Sequence, residues 1–203
     1  TRLRKLVAQA FTTRALARWE QVVEDVVDRL LGEALSGGEM DLIGDFAYLL
    51  PLTVIGEMMG VPTSDRDRFT RWSWNVTGSL EPSAGAEITA EANAAVADFK
   101  EYLGELADRR RREPGDDLMS LLVQAEEDGE TLSELELLHN AAFLLNAGHE
   151  TTSNLIGNGI NALFNNPDQM DLLRANPELA GSAVEEMLRY DSPVQGLARF
   201  VAR

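Results

Sequence analysis

The chain of 203 residues contains no cysteine. Disulfides, cysteine zinc sites and thiol catalysis are therefore excluded within these residues. Histidine is scarce too. The only two, His139 and His149, would lie about 80° apart around a helix and far apart along it, so they cannot share a metal. His149-Glu150-Thr151-Thr152-Ser153 begins like a zinc helix motif but has serine where the second histidine is required. Basic residues are outnumbered, 18 Lys and Arg against 34 Asp and Glu, for a net charge of −16. That balance argues against general nucleic-acid binding, which needs a basic footprint. No apolar run reaches the ~20 residues of a membrane span. The longest, Phe46 to Gly56, is interrupted by Pro51, and no signal peptide or anchor pattern is visible. The expectation is a cytoplasmic protein with no membrane partner.

What is present suits a helical body. A hydrophobic content of 44% supplies a core. Amphipathic spacing predicts helices over 1–10 and 13–35, the second stopped by Ser36-Gly37-Gly38, and another over 46–59, ended by Gly60-Val61-Pro62. Met40 to Leu42 reads as a short strand. Ser64 reads as a cap for a helix over 65–77, and Glu81-Pro82-Ser83-Ala84-Gly85 as a loop. Helices follow over 88–112, 117–126 and 131–166, then one opened by Pro167 and one over 179–190, with 194–201 extended. Charge is uneven along the chain. Residues 1–18 carry Arg2, Arg4, Lys5, Arg14 and Arg18 with no acid, whereas Glu126, Glu127, Asp128, Glu130, Glu134 and Glu136 crowd the turn before the long helix.

The centre of that long helix breaks good helix rules. Gly148 costs about 1 kcal/mol against alanine, and Thr151 and Thr152 are adjacent β-branched residues. At 100° per residue, Leu144, Gly148, Thr151, Thr152 and Leu155 share one apolar face, with Glu150 and Asn154 on the other. The Thr151 hydroxyl can bond back to the Ala147 carbonyl and loosen the helical ladder there. Two readings follow. One is a small polar notch suited to a ligand that needs proton delivery, with Glu150 as relay; the other is a helix-packing glycine beside self-satisfied threonines.

The run Ala147-Gly148-His149-Glu150-Thr151-Thr152 resembles the central-helix oxygen-activation motif of the cytochrome P-450 family. Two further stretches match in order. Glu185-Glu186-Met187-Leu188-Arg189 resembles the family's Glu-x-x-Arg helix, with Glu186 and Arg189 as the pair, and Arg199 falls where a basic residue meets a haem propionate. Thr1-Arg2-Leu3-Arg4-Lys5 resembles the helix that usually begins His-x-x-x-Arg, with Arg4 as the arginine. The resemblance implies a mostly α fold: a long central helix, surrounding helices and minor β, as one partial domain over 1–203.

It also implies a bacterial haem-dependent monooxygenase. One oxygen atom from O2 would enter a lipophilic small molecule, and a ferredoxin or similar donor would supply electrons, docking on the basic first helix. Glu150 and Thr151 would be catalytic, Thr151 by hydrogen bonding to the activated oxygen and Glu150 by helping to deliver protons. Haem b would contact Arg4, Ala147, Gly148, Thr151 and Arg199. Phe143, Asn146 and Ala147 would line the substrate pocket; Asn146 could instead satisfy a neighbouring carbonyl. Phe69, Trp72 and Trp74 are lid or substrate contacts, or simply core. His149 is a filler beside the notch or a participant in solvent-linked proton transfer. Glu186 and Arg189 would be a buried structural ion pair by resemblance, and a routine exposed pair by spacing alone. The family's axial cysteine has no counterpart here, so the expectation is an internal fragment, inactive by itself. The alternative is a non-catalytic helical fragment or binding module without haem.

Overall fold

The computed structural model describes residues 2–8, 13–65, 67–72, 86–127 and 129–196. Helix α1 is Arg2–Ala8 and α2 is Thr13–Gly37. A π-helical turn, Leu42–Ala47, runs into α3, Leu49–Met59. Residues 67–72 form α4, Ala86–Arg112 α5 and Leu118–Gln124 α6. Two-residue strands β1, Glu126–Glu127, and β2, Glu130–Thr131, pair antiparallel around Gly129, whose φ of +79° suits glycine. Then come α7, Glu134–Asn165, α8, Pro167–Ala175, and α9, Ala180–Tyr190.

The mostly α reading holds, with local corrections. Met40 to Leu42 is not a strand. Asp41 accepts a hydrogen bond from the Ile43 amide while Asp45 accepts one from the Asp41 amide, at 3.0 and 2.9 Å, and this exchange turns the chain directly into helix. Leu42 to Met59 is consequently one continuous helical stretch. At 18 residues and mean hydropathy 1.4 it is long and apolar enough to cross a membrane; within this fold it packs on α2 and α7. Ser64 lies inside a 3-10 turn, Thr63–Asp65, rather than standing as a cap; of the helix expected over 65–77, residues 67–72 are helical and 66 and 73–77 lie outside the described residues. The long helix starts at Glu134, not at 131, because Ser133 and Glu136 form a reciprocal capping box. Of the expected extended segment over 194–201 and the loop over 81–85, only residues 194–196 are described, and they are irregular.

Side chains from α3 to α7 build the core. Leu103 and Leu106 of α5, Met119 and Leu122 of α6, Met59 of α3 and Leu137 of α7 are fully buried in one cluster. A polar clamp fixes its edge. Asp117 caps α6 by accepting from the Ser120 amide and pairs with Arg110, whose guanidinium also donates to the Gly60 carbonyl at 3.1 Å. Gly60 ends α3 in the left-handed conformation, and a Cβ there would collide with the Asp117 carboxylate. Above the cluster, Trp72 of α4 packs on Phe99 and Tyr102 of α5 at ring distances of 5.3 and 5.1 Å. The resulting body holds α7 by its first half and leaves one of its faces open.

Candidate functional site on the long central helix

The middle of α7 has two sides. Leu145 and His149 face inward, both buried. Ala147, Gly148 and Thr152 are exposed and Thr151 is half-buried, so the open face runs along the irregular motif. The Thr151 hydroxyl donates to the Ala147 carbonyl at 3.0 Å, the back-bond its spacing allows. Thr152 donates to Gly148 at 3.4 Å and Ser153 to His149 at 2.9 Å, so three successive hydroxyls lean on the helical carbonyls. Such bonds compete with the backbone ladder and soften the helix locally. Gly148 is also a point of close approach: a Cβ there would lie 3.2 Å from two carbons of Ile55 on α3. The glycine therefore lets α3 come near while the neighbouring surface stays open.

His149 is set differently from either expectation. Its ring is buried and meets Tyr48 edge-on at 4.8 Å, turned toward the α3 side. It is neither beside the open face nor in contact with solvent, which removes solvent-linked proton transfer. Burial lowers its pKa to about 4, keeping the imidazole neutral. Glu150 is half-buried next to it.

One turn earlier, Phe143 and Asn146 help to line a cavity of about 210 Å³ between α4, α5 and α7. Phe69, Trp72 and Phe99 form its aromatic wall, and among the described residues Lys100 is its one charged lining residue. Phe69 and Trp72 are 3% and 5% exposed, so they belong to the core and to the cavity at once. Ala147 is not among the lining residues. Phe99 and Lys100 escaped the reading of the sequence. Their signal was faint: an apolar stripe on α5 with a lysine at its edge.

Elsewhere, Glu186 and Arg189 form the expected pair, Nε to Oε2 at 2.7 Å, and the guanidinium holds the Glu186 carboxyl below its ordinary range. Both side chains are more than half exposed, so within these residues the pair is a surface one. It borders a second cavity of about 360 Å³ between α7, α8 and α9. Arg4 is exposed on α1, and α1 lies against β1. Arg199 and Trp74 lie outside the described residues. Among the described residues no group of three His, Asp or Glu side chains is arranged to hold a metal ion.

A helix with this softened Gly-x-x-Thr centre, carrying an open face on one side and an aromatic cavity one turn away, is matched in known proteins. The family model for cytochrome P450 covers residues 1–178. The chain belongs to the cytochrome P450 family. It is 50% identical over 198 residues to Cytochrome P450 107B1 of Saccharopolyspora erythraea, covering 96% of this chain and 46% of that protein. It is 46% identical to the Vitamin D(3) 25-hydroxylase of Pseudonocardia autotrophica, over 100% of this chain and 49% of the relative. The crystal structure of CYP109E1 from Bacillus megaterium in complex with testosterone superposes with a TM-score of 0.88 at 36% identity, covering 96% of this chain and 52% of that one. The chain thus spans about half the length of the P450 relatives it matches. Haem is the cofactor that membership in this family implies.

Proposed function

We propose that this chain carries the oxygen-activating half of a haem-dependent monooxygenase that inserts one atom of O2 into a lipophilic small molecule. The observation that carries the reading is the Thr151 hydroxyl, bonded to the Ala147 carbonyl at the edge of an open face. The residues present fit haem b. Ala147 puts nothing larger than a methyl group on the exposed helix surface, which leaves room for a flat macrocycle, while Gly148 lets Ile55 of α3 approach from the other side. Arg4 and Arg199 are suited to propionates through charge-assisted bonds. When bound, haem supplies dioxygen binding and O–O cleavage; the iron's thiolate ligand is not among these residues.

The chain's own part is positioning and proton handling. Thr151 can exchange its bond to Ala147 for one to a ligand at little cost, because the carbonyl keeps its place in the helix. Glu150, one residue earlier, would help to deliver protons toward that hydroxyl. The aromatic cavity beside Phe143 and Asn146 would hold an apolar molecule against the same helix. Lipophilic substrates accord with relatives whose names mention vitamin D(3) and testosterone. Electrons would come from a ferredoxin or similar donor docking near α1, in a cytoplasmic protein.

Replacing Thr151 by Ala in the haem-loaded protein tests the reading. Folding and substrate binding should change little, since only a local side-chain bond is lost. Reducing equivalents should be diverted to peroxide, and Glu150→Gln should slow turnover. Full coupling of cofactor oxidation to product in Thr151→Ala would show that the hydroxyl has no part in the chemistry.

A further inference from the structure

We infer that the cavity between α4, α5 and α7 selects lipophilic molecules that carry a carboxylate, with Lys100 holding the charge. The inference rests on reading this cavity as part of the substrate site. Its lining is aromatic and aliphatic apart from Asn146 and Lys100. In a chain with nearly two acids for every base, the one charged residue on this wall among those described is a cation.

Lys100 has no acid where a helix would supply one. Its neighbours three and four positions away on α5 are Val96, Ala97, Leu103 and Gly104. The acids next in sequence, Asp98 and Glu101, point to other faces and are exposed. Asp65, near the same aromatic cluster, accepts the Tyr102 hydroxyl at 2.9 Å. From α4, the charged residue facing the cluster is another cation: Arg68 lies over the Trp72 ring at 4.7 Å. The helix α7 contributes Ala142, Phe143, Leu145 and Asn146, none of them acidic.

Lys100 is half-buried, as a lysine whose aliphatic stem lies along an apolar wall would be, and its ammonium at the rim is suited to a compact anion brought to it. At about 210 Å³ the cavity is smaller than the ~300–1,000 Å³ that encloses a drug-sized ligand. It suits one end of an elongated molecule: an apolar segment against Trp72 and Phe99, its carboxylate at the Lys100 rim, the remainder following Phe143 toward Thr151.

Dodecanoate and dodecan-1-ol, equal in chain length and different in charge, separate the possibilities. Their binding to the purified haem-loaded protein would be measured by titration calorimetry, for the parent protein, Lys100→Met and Lys100→Arg. Dodecanoate is expected to bind at least tenfold more tightly than the alcohol. Lys100→Met should weaken dodecanoate about tenfold and leave the alcohol unchanged, whereas Lys100→Arg should keep most of the preference. Equal affinities in the parent protein, or a preference that survives Lys100→Met, would overturn the charge selection and leave the cavity as a neutral lipophilic site. Binding of neither compound would remove the cavity from the substrate site altogether, and the inference with it.

Discussion

The two halves of α7 are built on the same kind of sequence and end in opposite situations. In the first half, Leu137, Ala141 and Leu145 are buried in the core shared with α3, α5 and α6. In the second half Gly159 alone is buried among the described residues, and the helices that follow, α8 and α9, contribute no buried residue. Yet α9 is patterned for burial, with Ala183, Val184, Met187 and Leu188 spaced along one stripe. An amphipathic pattern therefore records that a helix needs a covering surface; it does not record where that surface comes from. In the monooxygenase reading the uncovered side has a use, because haem and further polypeptide would complete it.

Truncating side chains in each region should expose the contrast. Leu103 of α5 is fully buried in the core cluster, so Leu103→Ala should lower stability by about 2–5 kcal/mol through lost burial and a cavity. Urea unfolding would show it as a fall in midpoint at constant slope. A loss below about 1 kcal/mol would mean that the packed region is looser than described.

His149 adds a pH dependence to the packed side. Its folded pKa of about 4 lies below the ordinary value of 6.5. The unfolded chain therefore takes up a proton first as pH falls. The stability contributed by a neutral buried imidazole is complete above about pH 6.5 and is lost as pH falls toward 4, at about 1.4 kcal/mol per pH unit. Between pH 6.5 and 5 the parent chain should lose about 2 kcal/mol more than His149→Phe, which keeps an aromatic ring against Tyr48. Parallel pH profiles for the two would place the imidazole in contact with water. On the uncovered side the smallest effect is expected: Leu188 is 39% exposed, and Leu188→Ala should change stability by no more than about 0.5 kcal/mol. A larger loss would mean that α9 is already sealed by its neighbours.

Features set by local spacing were legible in the residues alone. The Thr151 to Ala147 bond follows from an interval of four in a helix, and Pro167 opens α8 as its ring allows. Gly60 was recognisable as a helix stop, although its contact with Asp117 was not, because that depends on α6 returning past α3. The failures share a cause. Asp41 and Asp45 outweigh the strand preference around Met40 through an exchange of caps that hydrophobic patterning does not register. The burial of His149 was not legible from its spacing, since Tyr48, which meets its ring, arrives from a distant part of the chain. Lys100 became noticeable only once α4, α5 and α7 enclosed a space beside it. The family resemblance located the motif residues; packing decided which way they faced.

The absence of cysteine gives the most direct test of the proposed division between an oxygen-activating surface carried by these residues and an iron ligand that they lack. A thiolate both anchors haem iron and shifts the absorption of its carbon monoxide complex. The purified 203-residue chain, supplied with haem, reduced and exposed to carbon monoxide, should show no red-shifted band of a thiolate-ligated haem and should oxygenate no substrate. That band in a chain ending at Arg203 would contradict the account.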